Sequence, residues 1–117
     1  MSMTTLARMD TDGWELDDAE AIAAEHPDTF HLPSRAQRDA VEADALVKLI
    51  FRISTVDEHG HTQVNVERMW VCVIERAAGH WIGELDNQPR CTDDIAPGMR
   101  VAFDSRHVID IWGVDWE

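Results

Sequence analysis

A chain of 117 residues, 44% hydrophobic and 28% charged, has the size and composition of one globular domain that can bury a core without disulfides or metal. Its net charge of −13 argues against direct contact with nucleic acid or an anionic membrane, and has two readings: a basic protein partner whose encounter the field would accelerate, or general solubility and adaptation of composition to the genome or a salty cytoplasm. The longest apolar run, residues 69–74, is far below the ~20 residues of a membrane span, and Thr4, Thr5, Arg8 and Asp10 interrupt the start, so a cytoplasmic protein is expected.

Residues 1–11 carry no pattern and are expected to be flexible. Residues 14–26 are predicted as a first helix. Asp12 and Glu15 have capping-box spacing, Asp17, Asp18 and Glu20 suit the positive end of the helix dipole, and Ala19, Ile22 and Ala23 form a narrow apolar stripe before Pro27. A second helix is predicted over residues 35–43, with Ser34 and Gln37 forming the capping box.

The period then changes to that of strands. Residues 46–53 are β-rich, with Leu49, Phe51 and Ile53 pointing one way, and residues 57–61 read as a turn. Residues 64–75 form the longest predicted strand, apolar on both faces at its middle and hence central. Residues 81–85 return antiparallel, with Trp81 and Leu85 on one face; turns at 86–89 and 97–98 precede short strands at 101–103 and 107–111. The expected fold is α+β: a curled antiparallel sheet of four to five strands from residues 45–111, at its most closed a small barrel, with helices from the first 44 residues on one side.

Catalytic machinery is not recognisable. Ser2, Ser34, Ser54 and Ser105 lack a nucleophile elbow, and no glycine-rich nucleotide loop is present. Cys72 lies in the apolar run and Cys91 in a polar turn; two free thiols are expected. His59 and His61 are the only close histidine pair and decorate a turn, so neither metal nor other cofactor is expected. What remains is binding. Asp17, Asp18, Glu20 and Glu25 are candidate partner-binding residues on the exposed side of the first helix. Trp112 and Trp116 place two indoles on one face of the tail; they either close the sheet's edge against the core or anchor a partner.

Several segments form an ordered set: Phe30-His31-Leu32-Pro33-Ser34, residues 46–51, Glu67-Arg68-Met69-Trp70-Val71, Gly83-Glu84-Leu85-Asp86-Asn87-Gln88-Pro89, Pro97-Gly98, Val101, Phe103 and residues 107–111. Over about residues 30–111 this set resembles the YegJ-like domain of unknown function found in short bacterial proteins. The 67–71 and 85–89 segments are its specific parts. Similar proteins usually carry an acid after the glycine of the late turn, where this chain has Met99. The resemblance implies no catalytic residue. Glu67, Arg68, Trp70, Asp86 and Asn87 then have two readings: they hold one hairpin in register, with Arg68 pairing Glu67 or Asp86, or they form a ligand-binding edge. The functional expectation is a non-enzymatic acidic module that binds a basic protein, in its most concrete form an immunity or inhibitor protein neutralising a basic toxin. The alternative is a housekeeping domain binding a small ligand. The oligomeric state is left open.

Overall fold

Every second residue from 47 to 53 is apolar, and Val47, Leu49, Phe51 and Ile53 all lose their contact with solvent. In the computed structural model, which describes residues 4–77 and 79–116, these side chains line the hollow of a curled antiparallel half-barrel. In chain order the elements are α1 (Met9–Asp12), β1 (Trp14–Leu16), α2 (Ala19–Glu25), α3 (Arg35–Asp39), β2 (Leu46–Val56), β3 (Thr62–Ala77), β4 (His80–Leu85), β5 (Arg100–Phe103), a 3-10 turn (Ser105–His107) and β6 (Val108–Ile111). The sheet runs β1-β2-β3-β4-β5, and β6 returns to pair with β2 beside β1's end of the same edge. The class is α+β, with few short helices near the N-terminus.

The inner face of the curl holds Val71, Val73, Trp81, Leu85, Val101 and Phe103 against the 47–53 row. Gly83 is fixed by this packing: a Cβ there would lie 2.4 Å from a Val71 methyl and 2.7 Å from the Cys72 carbonyl oxygen. A smaller cluster forms on the outer face, where Ala19 and Ile22 of α2, with Phe30 and Leu32, cover Ile50 and Ile109. Removing this apolar area from water stabilises the fold at roughly 25 cal/mol per Å².

The helix predicted over residues 14–26 is confined to α2 and preceded by strand β1, and a short helix, α1, forms at Met9–Asp12 where no pattern was read. Trp14 and Leu16 pair across from Ile53 and Phe51 and pack against the inner core, so residues 14–16 are drawn into the sheet. Asp18, rather than Asp12, is the cap, accepting a hydrogen bond from the Ala21 N–H. The second helix has the expected Ser34–Gln37 capping box but ends at Asp39 instead of Ala43. Val41 and Ala45 must turn onto the inner core, and Asp44 takes a positive φ of 74° to bring the chain into β2. Both cysteines are free. Among the described residues, no helix is long and apolar enough to cross a membrane.

Candidate functional site: an acid-bordered tryptophan face

The register of the sheet builds an outer surface that no single segment reveals. Lys48 faces Asp110 on one side and Trp70 on the other, and the Asp86 N–H donates to the Trp70 carbonyl. One row across the sheet is therefore Asp110, Lys48, Trp70, Asp86. In the next row Leu46 faces Cys72, Cys72 faces Glu84, and the Trp112 N–H donates to the Leu46 carbonyl. Cross-strand neighbours share a face, so both rows point outward together.

The Trp112 indole is 70% exposed and meets Trp70 edge-on, with ring centroids 5.8 Å apart. Lys48 Nζ lies 5.1 Å from the centre of the Trp70 ring. Trp116 folds back after the turn at Gly113 and donates its indole N–H to Asp110 at 2.9 Å. The two tail indoles thus meet at one surface, but Trp112 does not close the sheet's edge against the core. It stands between the Trp70 surface and an open groove of about 520 Å³ lined by Val41, Ala45, Ile111 and Val114, with Glu42 and Asp44 also in the lining.

Acids border this face together with two cations, Lys48 over the Trp70 ring and Arg100 across from Glu84. Burial raises the Cys72 thiol pKa, and the carboxylates of Asp44, Asp86 and Glu84 raise it further, which gathers all three around one sulfur. None of the three forms an ion pair among the described residues. An exposed indole on a face whose carboxylates make no ion pair attracts a cationic side chain through both the ring quadrupole and Coulomb attraction.

The four helix acids are placed differently from expectation. Asp17 precedes α2 and faces Arg52 at 3.7 Å, and Asp18 caps the helix and reaches Arg106 at 3.5 Å. Glu20 is held by Arg38 at 2.7 Å and Arg35 at 3.2 Å. Glu25 is exposed at the end of the helix. Asp17, Asp18 and Glu20 therefore answer to internal arginines, and the four do not share one helix side because the helix begins at Ala19.

The residues of the 67–71 and 85–89 segments join β3 to the loop after β4. The Glu67 carboxylate accepts N–H bonds from Arg90 and Cys91 at 2.8–3.1 Å; burial works to raise its pKa, but these donors prevail and hold it below the ordinary carboxylate value. Asn87 Oδ1 accepts the Trp70 N–H at 2.5 Å. Arg68 pairs with neither Glu67 nor Asp86 and instead lies over the Phe30 ring, 5.9 Å from its centroid. A groove of about 740 Å³ opens between β3 and this loop, but its strongest acceptors, Glu67 and Asn87, are engaged with backbone N–H groups. Burial and the neighbouring Glu67 push the Cys91 thiol up to about 11, which makes it a poor nucleophile at neutral pH.

Among the described residues, no group of three or more His, Cys, Asp or Glu is arranged to hold a metal ion. Sequence reading missed Asp44, Lys48, Glu84 and Asp110 as members of the face, because their proximity depends on strand register. Alternation along 46–48 and 70–72 was the available signal: it leaves Lys48 and Trp70 opposite the core-facing residues. Comparisons of the chain with protein-family models, with curated proteins and with solved structures find no match.

Proposed function

We propose that the protein is a non-enzymatic, cytoplasmic binding module whose outer tryptophan face docks a basic protein. The observation that carries this reading is Trp112, exposed over 70% of its surface, on an outer face that also carries Asp44, Glu84 and Asp86 around Cys72, none of them in an ion pair among the described residues. A large indole on the surface is the usual centre of an interface, and a rim of one charge selects the opposite charge. An inhibitor of a basic toxin is the most concrete form of this reading, and it agrees with the net charge of −13.

Titration with a lysine- and arginine-rich amphipathic peptide, followed by tryptophan fluorescence, tests it. Saturable quenching is expected in the wild type. Trp112→Ala and the triple variant Asp44→Asn, Glu84→Gln, Asp86→Asn should each weaken binding by tenfold or more, equivalent to about 1.4 kcal/mol. Equal affinity in all three proteins contradicts the proposal.

A further inference from the structure

The tip of the β3–β4 hairpin, the end of β5 and helix α3 surround a second cleft, of about 660 Å³, that shares no residue with the tryptophan face. Three of the chain's nine arginines line it, Arg35, Arg76 and Arg106, together with His80.

Strand register explains how they meet. Val71 and Val73 point into the core, so a regular strand would place Glu75 inward next. The pairing slips by one residue between Val73 and Glu75, and Arg76 instead comes opposite Trp81. A bulge of this kind re-aims a side chain. The Arg76 guanidinium then lies 4.2 Å from the centre of the Trp81 ring, and Trp81 stacks on Phe103 with centroids 5.9 Å apart. Arg76 is thereby held on an aromatic plane, and it has no carboxylate partner among the described residues.

His80 is positioned as well. Its Nδ1 lies 2.6 Å from Asp104 Oδ1, and the Asp104 N–H donates to His107 Nδ1 at 2.9 Å. Nε2 is the remaining nitrogen of the His80 ring. The cleft's three carboxylates all have internal partners. Glu20 is bound by Arg38 and Arg35, Asp39 by Arg35 and the Ser105 hydroxyl, and Asp104 by His80 with Arg106 3.6 Å away. Arg76 is the donor left over. A guanidinium fork binds carboxylate and phosphate alike, but groups that arrive from the end of β3, the start of β4 and the 3-10 turn converge from several directions, which fits the tetrahedral arrangement of phosphate oxygens. The cleft volume lies within the ~300–1,000 Å³ of small-molecule sites.

We infer that this cleft binds the phosphate group of a small phosphorylated molecule, with Arg76 and His80 contacting the phosphate and Arg106 completing the cradle. The inference does not depend on the tryptophan face. It is tested by ¹H–¹⁵N NMR titration of the full chain at constant ionic strength, with inorganic phosphate, glycerol phosphate and acetate as probes. Saturable shifts are expected for Arg76, His80, Trp81 and Arg106 with both phosphates, and much weaker ones with acetate. Arg76→Gln should weaken phosphate binding roughly tenfold, as expected for one lost charge-assisted contact. Arg76 is exposed, so this variant should keep the wild-type spectrum elsewhere. Trp112→Ala should bind phosphate unchanged. Shifts that do not saturate, an unaltered affinity in Arg76→Gln, acetate binding as tightly as phosphate, or exclusion of the glycerol ester would each overturn the inference.

Discussion

At the tryptophan face, Asp44, Glu84 and Asp86 form no ion pair among the described residues, although Lys48 and Arg100 share their side of the sheet. At the His80 cleft, Glu20, Asp39 and Asp104 are each held by arginine or histidine. One chain with 23 acids and 10 basic residues thus divides its charge unevenly. Four of its nine arginines, including the buried Arg38, gather around the cleft, and Arg38 ties α3 to the 3-10 turn. The net charge of −13 consequently describes neither surface: the tryptophan face keeps acids without ion pairs, and the cleft keeps a surplus arginine. Net charge describes encounter at long range; the fate of each carboxylate decides what a given surface can hold.

The sharpest way to break this comparison is to remove the cleft's internal charge. Arg38 is 6% exposed and bonds Glu20, the Pro33 carbonyl and the Ser105 carbonyl. Arg38→Ala leaves the two carbonyls without this donor and Glu20 with Arg35 alone, and should cost about 4 kcal/mol, measured by urea denaturation. A loss below about 1 kcal/mol would mean that the cleft's arginines are not structural.

Acid should come next in size, acting through the same side of the molecule. Burial, with Arg106 adding to it, pushes His107 down to about 4 from its ordinary 6.5. The unfolded chain takes up a proton that the native state refuses, so stability is full above pH 6.5 and declines as the pH falls toward 4. The whole excursion amounts to about 3 kcal/mol. Denaturation midpoints across this range should show the slope, and His107→Gln should flatten it; an equal slope in the variant would assign the acid sensitivity elsewhere.

A smaller effect is expected where the loop meets the tryptophan face. Asn87→Ala removes the acceptor of the Trp70 N–H and should cost about 1–2 kcal/mol in thermal or chemical unfolding. Its neighbour Trp112 should be close to neutral: Trp112→Ala is expected to change stability by no more than about 0.5 kcal/mol while removing the proposed docking surface. A large destabilisation would show that this indole serves the core after all.

The strand pattern was legible wherever one face alternates. Leu49, Phe51 and Ile53 announce an inner row, and the Ser34–Gln37 spacing announces a helix start. Local signals failed where a distant partner decided the outcome. Residues 14–16 carry too few side chains to show a period, and they become a strand because β2 offers Trp14 and Leu16 an apolar row more than thirty residues along the chain. Helix-favouring acids at 17, 18 and 20 gave no hint that arginines from β2, α3 and the 3-10 turn would claim them. Both candidate sites have the same cause of concealment. The tryptophan face is a product of cross-strand register, and the cleft depends on a one-residue slip beside Ile74 that turns Arg76 toward Trp81.

The central claim, that the unpaired acids of the tryptophan face steer a basic partner, is tested most directly by stopped-flow association with the basic amphipathic peptide over a salt series. Wild-type association should slow steeply as salt approaches 0.1 M, where the field reaches only ~10 Å. Neutralising Asp44, Glu84 and Asp86 should flatten that dependence and slow association more than it speeds dissociation. Neutralising Asp17, Asp18, Glu20 and Glu25 should do much less, since internal arginines already screen three of them. An association rate indifferent to salt and to the Asp44, Glu84, Asp86 variant, or one governed by the helix acids instead, would contradict the account.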